Sequence, residues 1–386
     1  MIQVFLGLLV LLGSQERSAS SPALQGPAVV EKAPAPADVR NAIAKGADFL
    51  VKSQNADGSW GGVRNKTFTD SFANVETHHA WTVATTGLCC VALMELSQAP
   101  EAIAACDRGL DYICANADLK RPDQWDTDNT WGYIYGLQGV AKALAHPRYK
   151  GSPRDGVLRK AADTFLSLMK KYQSDKGGWA YYADPEGAYV TGLETSFGTA
   201  AGVIALCDAR DAGLAVDEKM LLKARAAVER CRLPNGAFTY SNDVINQPGN
   251  SEFINNVKGS LGRIQVCHLA MLRAGSKISK EQIRWGLDQF FEHHKFLDVG
   301  RMKPIPHEAY YAVAGYFYFF GHYYAGRLLE TLPPNERAEY APRLQKEILK
   351  TIESDGAMWD FYISSNTRPY GTSFGIMTLG STLIGG

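Results

Sequence analysis

Two aspartates separated by one residue precede a predicted buried helix, in the segment Asp126-Thr127-Asp128-Asn129-Thr130. A carboxyl group kept away from water can stay protonated near neutral pH, and a second carboxylate beside it raises its pKa further. Its place before a predicted buried helix makes Asp128, assisted by Asp126, the candidate for the most reactive acid at a central cavity. The alternative is that both aspartates only cap the helix that begins at Thr130, because Asp is a favoured N-cap residue.

Other residues with acid–base or binding chemistry fall near the predicted starts of the other buried helices. Carboxylates and imidazoles there could contact a ligand, and aromatic rings stabilise a cation or stack on a sugar. The residues predicted to bind substrate are Glu76, His78, His79, Trp131, Glu194, His307, Glu308, Tyr316 and Tyr370. For the histidines and aromatics, hydrogen bonding and packing within the fold are the alternative roles.

We predict no metal ion and no organic cofactor, because no pattern for either is present. Cys267 and His268 are adjacent, and neighbours on a helix point about 100° apart, so such a pair rarely chelates one ion. The seven cysteines show no spacing typical of a disulfide framework. Most of them lie in helical patterns, where Cys packs as a small apolar residue.

A repeated loop sets the elements that must position these residues. Gln54–Trp60 has a second copy at Gln173–Trp179 and looser copies at Arg232–Phe238 and Glu353–Trp359. The glycines of the four copies are 119, 59 and 120 residues apart, which are two, one and two periods of about 60. A glycine after Asp, Lys or Asn permits the positive φ that ends a helix, and the following aromatic ring can fold back over the turn. Each copy therefore predicts a turn that joins two helices.

Helical patterns of two kinds alternate along the chain. Amphipathic helices precede the loops, and helices that are apolar nearly all round follow them. The amphipathic ones span Val39–Gln54, Ala102–Ala117, Asp155–Gln173, Asp217–Arg232, Ser279–His294 and Asn335–Glu353. The apolar ones span Thr77–Leu96, Thr130–Ala145, Glu194–Ala209, Val257–Ala274, Glu308–Thr331 and Thr372–Ile384. Six such hairpins predict an all-α (α/α)6 toroid over residues 38–386, with inner and outer helix rings, although an open solenoid fits the pattern nearly as well.

The beginning of the chain is typical of a secretion signal. Its apolar run from Ile2 to Leu12 is short for a membrane span, and small residues follow, with Ser18-Ala19-Ser20 as the expected cleavage site. We predict a signal peptide over residues 1–20, a flexible linker over residues 21–37, and a secreted or periplasmic mature protein.

Charge and hydropathy exclude some classes of partner. The 40 basic and 40 acidic residues balance, so we predict neither nucleic acid nor an anionic membrane surface as partner. The uncharged run Ala309–Gly326 is near the lower length limit for a membrane span. Its three glycines, its many tyrosines and His322 favour an inner toroid helix, so we predict no transmembrane helix in the mature chain. Nothing in the sequence predicts the oligomeric state.

The Gln-x-x-x-Gly-x-Trp loop and the helical-hairpin period resemble those of the squalene cyclase and protein prenyltransferase β-subunit superfamily. This resemblance covers roughly residues 38–386 and implies an α/α toroid with a central cavity. The segment Asp126–Thr130 is similar to the Asp-x-Asp-Asp-Thr motif of class II terpene cyclases, in which the middle Asp, Asp128 here, protonates an alkene or epoxide. Asn129 replaces the last Asp of that motif. The zinc-ligand pair Asp-x-Cys of the prenyltransferases does not occur in this chain.

The function predicted from this resemblance is protonation-initiated cyclisation of an isoprenoid in an aromatic central cavity, by an exported protein. Two alternatives remain open. One is an exported glycan-active toroid, either a hydrolase or a lyase. The other is a non-catalytic toroid that binds a ligand or a partner. In each case a small molecule or a glycan is the expected ligand of the central cavity.

Overall fold

The four repeated loops fold alike in the computed structural model, which describes residues 33–62, 74–122, 128–181, 194–241, 253–361 and 365–383. In each loop the glycine has a positive φ, between 86° and 98°. Its N–H donates to the carbonyl oxygen three residues earlier, at 2.9–3.0 Å. The glycines are Gly58, Gly177, Gly236 and Gly356. A left-handed backbone is strained for residues with a side chain, which explains the glycine at this position.

The side chain two residues after each glycine folds back and packs under the turn, as the staple of its loop. Trp60, Trp179, Phe238 and Met358 are at most 1% exposed. The indole of Trp60 donates to the carbonyl oxygen of Leu50 at 2.7 Å, and that of Trp179 donates to the carbonyl oxygen of Met169 at 2.9 Å. In the fourth loop the staple is Met358, so Trp359 of the sequence motif is one residue out of phase.

Thirteen α-helices lie in the described part of the chain. Their bounds are α1 Pro36–Ser53, α2 Val75–Leu96, α3 Pro100–Ala115, α4 Thr130–Ala145, α5 Asp155–Tyr172, α6 Ser196–Asp211, α7 Glu218–Arg230, α8 Leu261–Arg273, α9 Lys280–Glu292, α10 Lys295–Gly300, α11 Phe317–Leu329, α12 Pro334–Leu349 and α13 Thr367–Ser381. Ser279 and Gln282 form a capping box at the start of α9, and the Asp217 side chain caps the start of α7. Apart from three isolated β-bridges, the described residues form no extended pairing.

The helices form two layers. Helices α2, α4, α6, α8, α11 and α13 are buried on nearly all sides and make the inner ring. Helices α1, α3, α5, α7, α9 and α12 bury only one face and make the outer ring. The alternation follows from the sequence, because only a helix without a polar face can be enclosed by other helices.

Contacts between the last and first hairpins close the ring. Gly356, in the last repeated loop, packs against the backbone of Lys45 in α1, as Gly58 packs against Arg108 in α3. In the inner ring, Ser373 of α13 hydrogen-bonds to Cys89 of α2 at 3.3 Å. The fold is therefore a closed α/α toroid and not an open solenoid.

The structure corrects the start of the fifth inner helix. The predicted helix Glu308–Thr331 begins only at Phe317, after an irregular stretch with a 3-10 turn at Tyr310–Ala312. Pro304 and Pro306 disfavour a helical backbone before them, and His307 has a φ of 64°. The fourth and sixth inner helices also shift, to Leu261 and Thr367. The first helix begins at Pro36, inside the predicted linker, while the predicted signal peptide lies outside the described residues.

One described helix, α2, is long and apolar enough to cross a membrane by length and composition. Of its apolar stretch, 78% is buried inside the protein. Its place in the inner ring explains the apolar composition, because a core helix of a toroid meets the same requirement. The run Ala309–Gly326 supplies most of α11, another inner helix.

Candidate functional site

An aromatic cavity of about 420 Å³ lies inside the inner ring. Inner-helix residues that line it come from five helices: Trp81, Ala84, Thr85, Leu88, Trp131, Tyr135, Phe197, Phe317, Phe320, Thr367, Tyr370 and Phe374. Residues that precede these helices or lie in loops complete the wall: Asp128, Tyr181, Tyr240, Pro306, His307, Tyr316, Phe361 and Asn366. A concave, largely aromatic wall with a few polar groups is typical of a small-molecule site.

A larger cleft, of about 1000 Å³, lies away from this cavity. Its wall contains Met94, Glu95, Arg327 and Glu330. Three of its charged groups are paired, since Arg327 lies 3.2 Å from Glu330 and 3.6 Å from Glu95. None of the residues predicted for acid–base or binding chemistry lines this cleft, so we take the aromatic cavity as the candidate site.

Asp128 is the carboxylate on the described part of the cavity wall. Its side chain is half-buried because it faces the cavity, yet its Oδ1 is shielded from solvent and has no hydrogen-bond partner. Burial raises the pKa of Asp128 to about 7, and the nearby Arg121 guanidinium opposes that rise. Water in the cavity weakens this effect of burial, and an apolar ligand that displaces the water strengthens it. The fraction of Asp128 that is protonated, and so able to donate a proton, is therefore highest when an apolar ligand is bound.

The backbone holds Asp128 in place. Its φ of 61° is uncommon for a residue with a side chain. Its N–H donates to the carbonyl oxygen of Tyr181 at 3.1 Å, and its own carbonyl oxygen accepts from the N–H of Trp131 at 3.1 Å. These bonds tie the backbone of Asp128 to two neighbouring wall residues, so the fold sets where this residue stands on the wall.

Capping does not explain Asp128. The N-cap residue of α4 is Asn129, and no side chain caps the helix. The Asn129 amide instead donates to the carbonyl oxygen of Lys120 at 2.8 Å, and its oxygen accepts from the Thr77 hydroxyl at 3.4 Å. Asn129 thus fastens the segment before α4. Asp126, the predicted assistant, lies outside the described residues.

A chain of hydroxyl groups runs along the wall and ends on His307. The hydroxyl oxygens of Tyr181 and Tyr240 are 3.4 Å apart, and those of Tyr240 and Tyr316 are 3.2 Å apart. The Tyr316 hydroxyl lies 3.0 Å from Nε2 of His307, whose Nδ1 lies 2.7 Å from the carbonyl oxygen of Ala312. Burial lowers the pKa of His307, and the charge of Arg263 lowers it further, so the imidazole is neutral at pH 7.

Arg263 supports this chain from behind the wall. It is 1% exposed, and its guanidinium lies 5.5 Å from the Tyr240 ring and 5.7 Å from the Phe317 ring. It donates to the carbonyl oxygens of Phe238 and Ile254, and no described carboxylate pairs with it. Burial lowers its pKa to about 10, so it remains a cation. A buried cation beside Tyr240 favours electron-rich groups on this side of the cavity.

A second acid lies behind the wall at Tyr370. The Tyr370 hydroxyl donates to Oδ1 of Asp360 at 2.9 Å, and the N–H of Phe319 donates to Oδ2 at 3.1 Å. Asp360 is fully buried, and burial raises its pKa to about 7. It does not line the cavity itself, so it orients the Tyr370 ring.

The structure brings only part of the predicted set together. The predicted residues that line the cavity are Asp128, Trp131, His307, Tyr316 and Tyr370. Those that do not line it are Glu76, His78, His79, Glu194 and Glu308.

The misplaced residues have identifiable causes. Glu308 is exposed because the fifth inner helix starts nine residues later than predicted. Glu194 is fully buried and forms a β-bridge with Ala180. His78 is buried, with its ring 5.3 Å from that of Trp81. A position near a helix start does not determine the face on which a side chain lies.

Sequence reasoning missed Tyr181 and Tyr240, although the repeat contains a signal for them. Both stand four residues after the glycine of a repeated loop, two residues beyond the stapled ring. Asp360 has the same position relative to Gly356. Aligning the loops on their glycines would have singled out these three residues.

Solved structures with similar folds include enzymes of unrelated chemistry. One is a type II terpene cyclase from Scytonema in complex with its substrate, geranylgeranyl dihydroxybenzoate, with a TM-score of 0.53, 12% identity, and coverage of 90% of this chain and 97% of that chain. Another is an inactive variant of an α-1,6-mannanase from Salegentibacter in complex with α-1,6-mannotriose, with a TM-score of 0.55, 14% identity, and coverage of 88% and 99%. A third is a cellobiose 2-epimerase from Spirochaeta thermophila, with a TM-score of 0.56, 11% identity, and coverage of 90% and 96%.

At these identities the likeness establishes the α/α toroid fold, and a fold of this kind hosts several chemistries. No protein-family model and no curated protein sequence matches the chain. Function must therefore be argued from the cavity.

Proposed function

We propose that the protein binds an isoprenoid polyene in the aromatic cavity and that Asp128 protonates it to start cyclisation. The observation that carries this proposal is the Asp128 carboxyl group, whose Oδ1 has no partner, on the wall of a cavity lined mainly by aromatic rings. The terpene cyclase with the same fold, which binds a geranylgeranyl substrate, supports it by analogy.

The wall suits the intermediates of such a reaction. Trp131 stacks on Tyr135 with ring centroids 5.6 Å apart, and Phe197 lies 6.0 Å from both Trp131 and Phe320. The faces of aromatic rings stabilise a nearby cation, most strongly where water is absent. A carbocation formed in this cavity would thus be stabilised by the ring faces around it.

The proposed chemistry needs no co-reactant. The O–H bond of the Asp128 carboxyl breaks, a pair of alkene π electrons forms a new C–H bond, and a tertiary carbocation remains. The π pair of the next double bond closes a ring and moves the positive charge along the chain. A neighbouring C–H bond then loses its proton to the tyrosine chain, and His307 Nε2 receives that proton. The reaction is an isomerisation, and exchange with solvent returns the proton to Asp128.

Incubation of purified protein with squalene and with geranylgeranyl dihydroxybenzoate tests this function. We expect cyclic isomers of unchanged mass, detected by gas or liquid chromatography with mass spectrometry. Asp128→Asn is expected to lower turnover by about 10²-fold or more while the protein stays folded. Absence of any cyclic product from the wild-type protein, or equal turnover by the variant, counts against the proposal.

A sugar substrate is the second candidate, and one specific observation favours it. The hydroxyl groups of Tyr181, Tyr240 and Tyr316 and the imidazole of His307 form a polar strip on one side of the aromatic wall. Rings with hydroxyl groups suit a saccharide, which is the ligand of the mannanase structure. Hydrolysis, however, uses two carboxylates, and the described wall holds one. Incubation with α-1,6-mannotriose and cellobiose distinguishes the two candidates, since only a sugar enzyme converts them.

We also propose that the protein works outside the cytoplasm, on the basis of the apolar run from Ile2 to Leu12. N-terminal sequencing of the protein from its own host tests this. A mature chain that begins near residue 21 supports export, and one that begins at Met1 in the cytosol contradicts it.

A further inference from the structure

A cluster of one imidazole and two carboxylates lies away from the aromatic cavity, between the outer and inner rings. His294 is at the start of α10, Asp298 is one turn further along α10, and Glu347 is on α12. Nδ1 of His294 is 3.1 Å from Oδ2 of Asp298 and 3.2 Å from Oε2 of Glu347. The three ligand atoms all lie within 4.8 Å of one another, and none of these residues lines the cavity.

A second histidine fixes which nitrogen of His294 carries its hydrogen. Nδ1 of His322 is 2.7 Å from the carbonyl oxygen of Tyr318, which only accepts, so this nitrogen bears a hydrogen. His322 is completely buried, and burial of an uncompensated charge is costly, so the ring is the neutral imidazole with Nε2 as an acceptor. Nε2 of His294 lies 2.9 Å from it and must donate.

The consequence is a lone pair of His294 Nδ1 that points at two carboxylate oxygens. Such an arrangement is repulsive unless a cation lies between the three atoms, and the cation is either an extra proton or a metal ion. Lys350 supplies one positive charge, at 2.8 Å from Asp298 and also in contact with Glu347. The two carboxylates carry two negative charges and the Lys350 ammonium group carries one positive charge, so one negative charge is left to be neutralised.

We propose that His294, Asp298 and Glu347 form a binding site for a divalent first-row metal ion of the Zn²⁺ type, with Lys350 displaced to solvent and water completing the shell. Zn²⁺ binds imidazole nitrogen and carboxylate oxygen at about 2.1 Å, so tetrahedral ligand atoms are about 3.4 Å apart. The observed separations of 3.1 and 3.2 Å need only a small expansion. The hydrogen bond from His294 to His322 is the outer-shell contact that orients a metal-bound imidazole.

Lys350 can leave the site because its side chain is 41% exposed and lies at the end of α12. Exchange of one ammonium charge for a divalent ion also neutralises both carboxylates. The bound ion would join α12 to α10 directly and to inner helix α11 through His322. Its role is therefore structural, and it is independent of the reaction proposed for the cavity.

Titration of chelator-treated protein with ZnCl2, monitored by calorimetry, tests the site. The absorption spectrum of bound Co²⁺ reports whether the ion has nitrogen and oxygen ligands. We expect one ion per chain and a higher unfolding temperature with Zn²⁺. Glu347→Gln and Asp298→Asn should each weaken binding about 10-fold or more, while Lys350→Met should tighten it. Glu339→Gln, an exposed acid about 12 Å further up α12, is the matched control and should leave binding unchanged.

Folding of every variant is checked by circular dichroism in metal-free buffer. The proposal is overturned if the wild-type protein binds no Zn²⁺, or if Glu347→Gln and Asp298→Asn, both folded, bind it as tightly as wild type. Weaker binding by Lys350→Met would overturn the displacement of the lysine.

Discussion

The hydroxyl group of Tyr316 donates to Nε2 of His307, with the two atoms 3.0 Å apart. The direction follows from the other ring nitrogen, because the carbonyl oxygen of Ala312 only accepts and Nδ1 must carry the hydrogen. Every hydroxyl in the chain from Tyr181 can then donate toward His307. Protons taken up on the cavity wall would move in this direction, and His307 is the base at the end.

Interrupting this chain of hydroxyl groups should slow the final deprotonation of the carbocation in the proposed reaction. Tyr316→Phe removes the hydroxyl that donates to His307 and keeps the ring on the wall. We expect kcat for polyene cyclisation to fall about 10²-fold with little change in KM, and more alcohol products from water attack on the cation. Tyr112→Phe, a half-buried tyrosine on outer helix α3, is the control. Unchanged kcat and products in Tyr316→Phe would remove His307 from the mechanism.

Activity should fall on the alkaline side of neutrality. Burial raises the pKa of Asp128 to about 7, and only the protonated carboxyl group can donate. We expect kcat/KM to decrease about tenfold per pH unit above pH 7. The pKa of His307 is lowered from its ordinary value of 6.5, so this base stays unprotonated near neutrality. We therefore expect no loss of activity between pH 6.5 and 7. A pH–rate profile that stays flat to pH 9 is incompatible with Asp128 as the acid.

The same carboxyl group should make folding stability depend on pH. Its pKa is 3.8 in the unfolded chain and about 7 in the folded protein, so between these values the folded state binds the additional proton. The free energy of unfolding should therefore decrease as pH rises from about 4 to 7 and level off above. Urea denaturation of wild type and Asp128→Asn at several pH values gives the difference in their free energies of unfolding, which is the contribution of this carboxyl group. Parallel curves for the two proteins would mean that the carboxyl group titrates normally.

The stapled rings should dominate the stability of the repeats. Trp179→Phe leaves a gap under the turn and removes the hydrogen bond to Met169. We expect a loss of about 1–3 kcal/mol in the free energy of unfolding, measured by urea denaturation. Tyr310→Phe changes a ring that is 72% exposed, and its effect should stay below about 0.5 kcal/mol. A Trp179→Phe loss no larger than that of this control would show that the staple is not a stabilising element.

The ring architecture could be predicted from the sequence because periodicity and glycine spacing are local properties. Gln54 and Gln173 each donate to the glycine carbonyl oxygen of their own turn, at 2.8 and 3.0 Å, so each loop contains most of its own determinants. Their second bonds, to Ala105 and Met220, join neighbouring hairpins.

The site could be predicted only in part, because it depends on which face of each segment meets the cavity. Asp128 was identified from a short motif that lies beside a helix start. Glu194, also beside a helix start, is instead fully buried and forms a β-bridge with Ala180. Glu308 was misplaced because two prolines and the positive φ of His307 delay the fifth inner helix. The role of Arg263 depends on packing across three segments, which no local pattern contains.

The central claim is that the reaction starts by proton transfer from Asp128 to a substrate carbon, and reaction in D2O tests it most directly. Exchange with solvent places deuterium on the carboxyl group before each turnover. We predict that the cyclic product gains one deuterium at the carbon that initiates ring formation, as located by mass spectrometry and NMR. Asp128→Asn should give neither product nor label. A cyclic product without deuterium, or one formed equally by Asp128→Asn, would contradict the account.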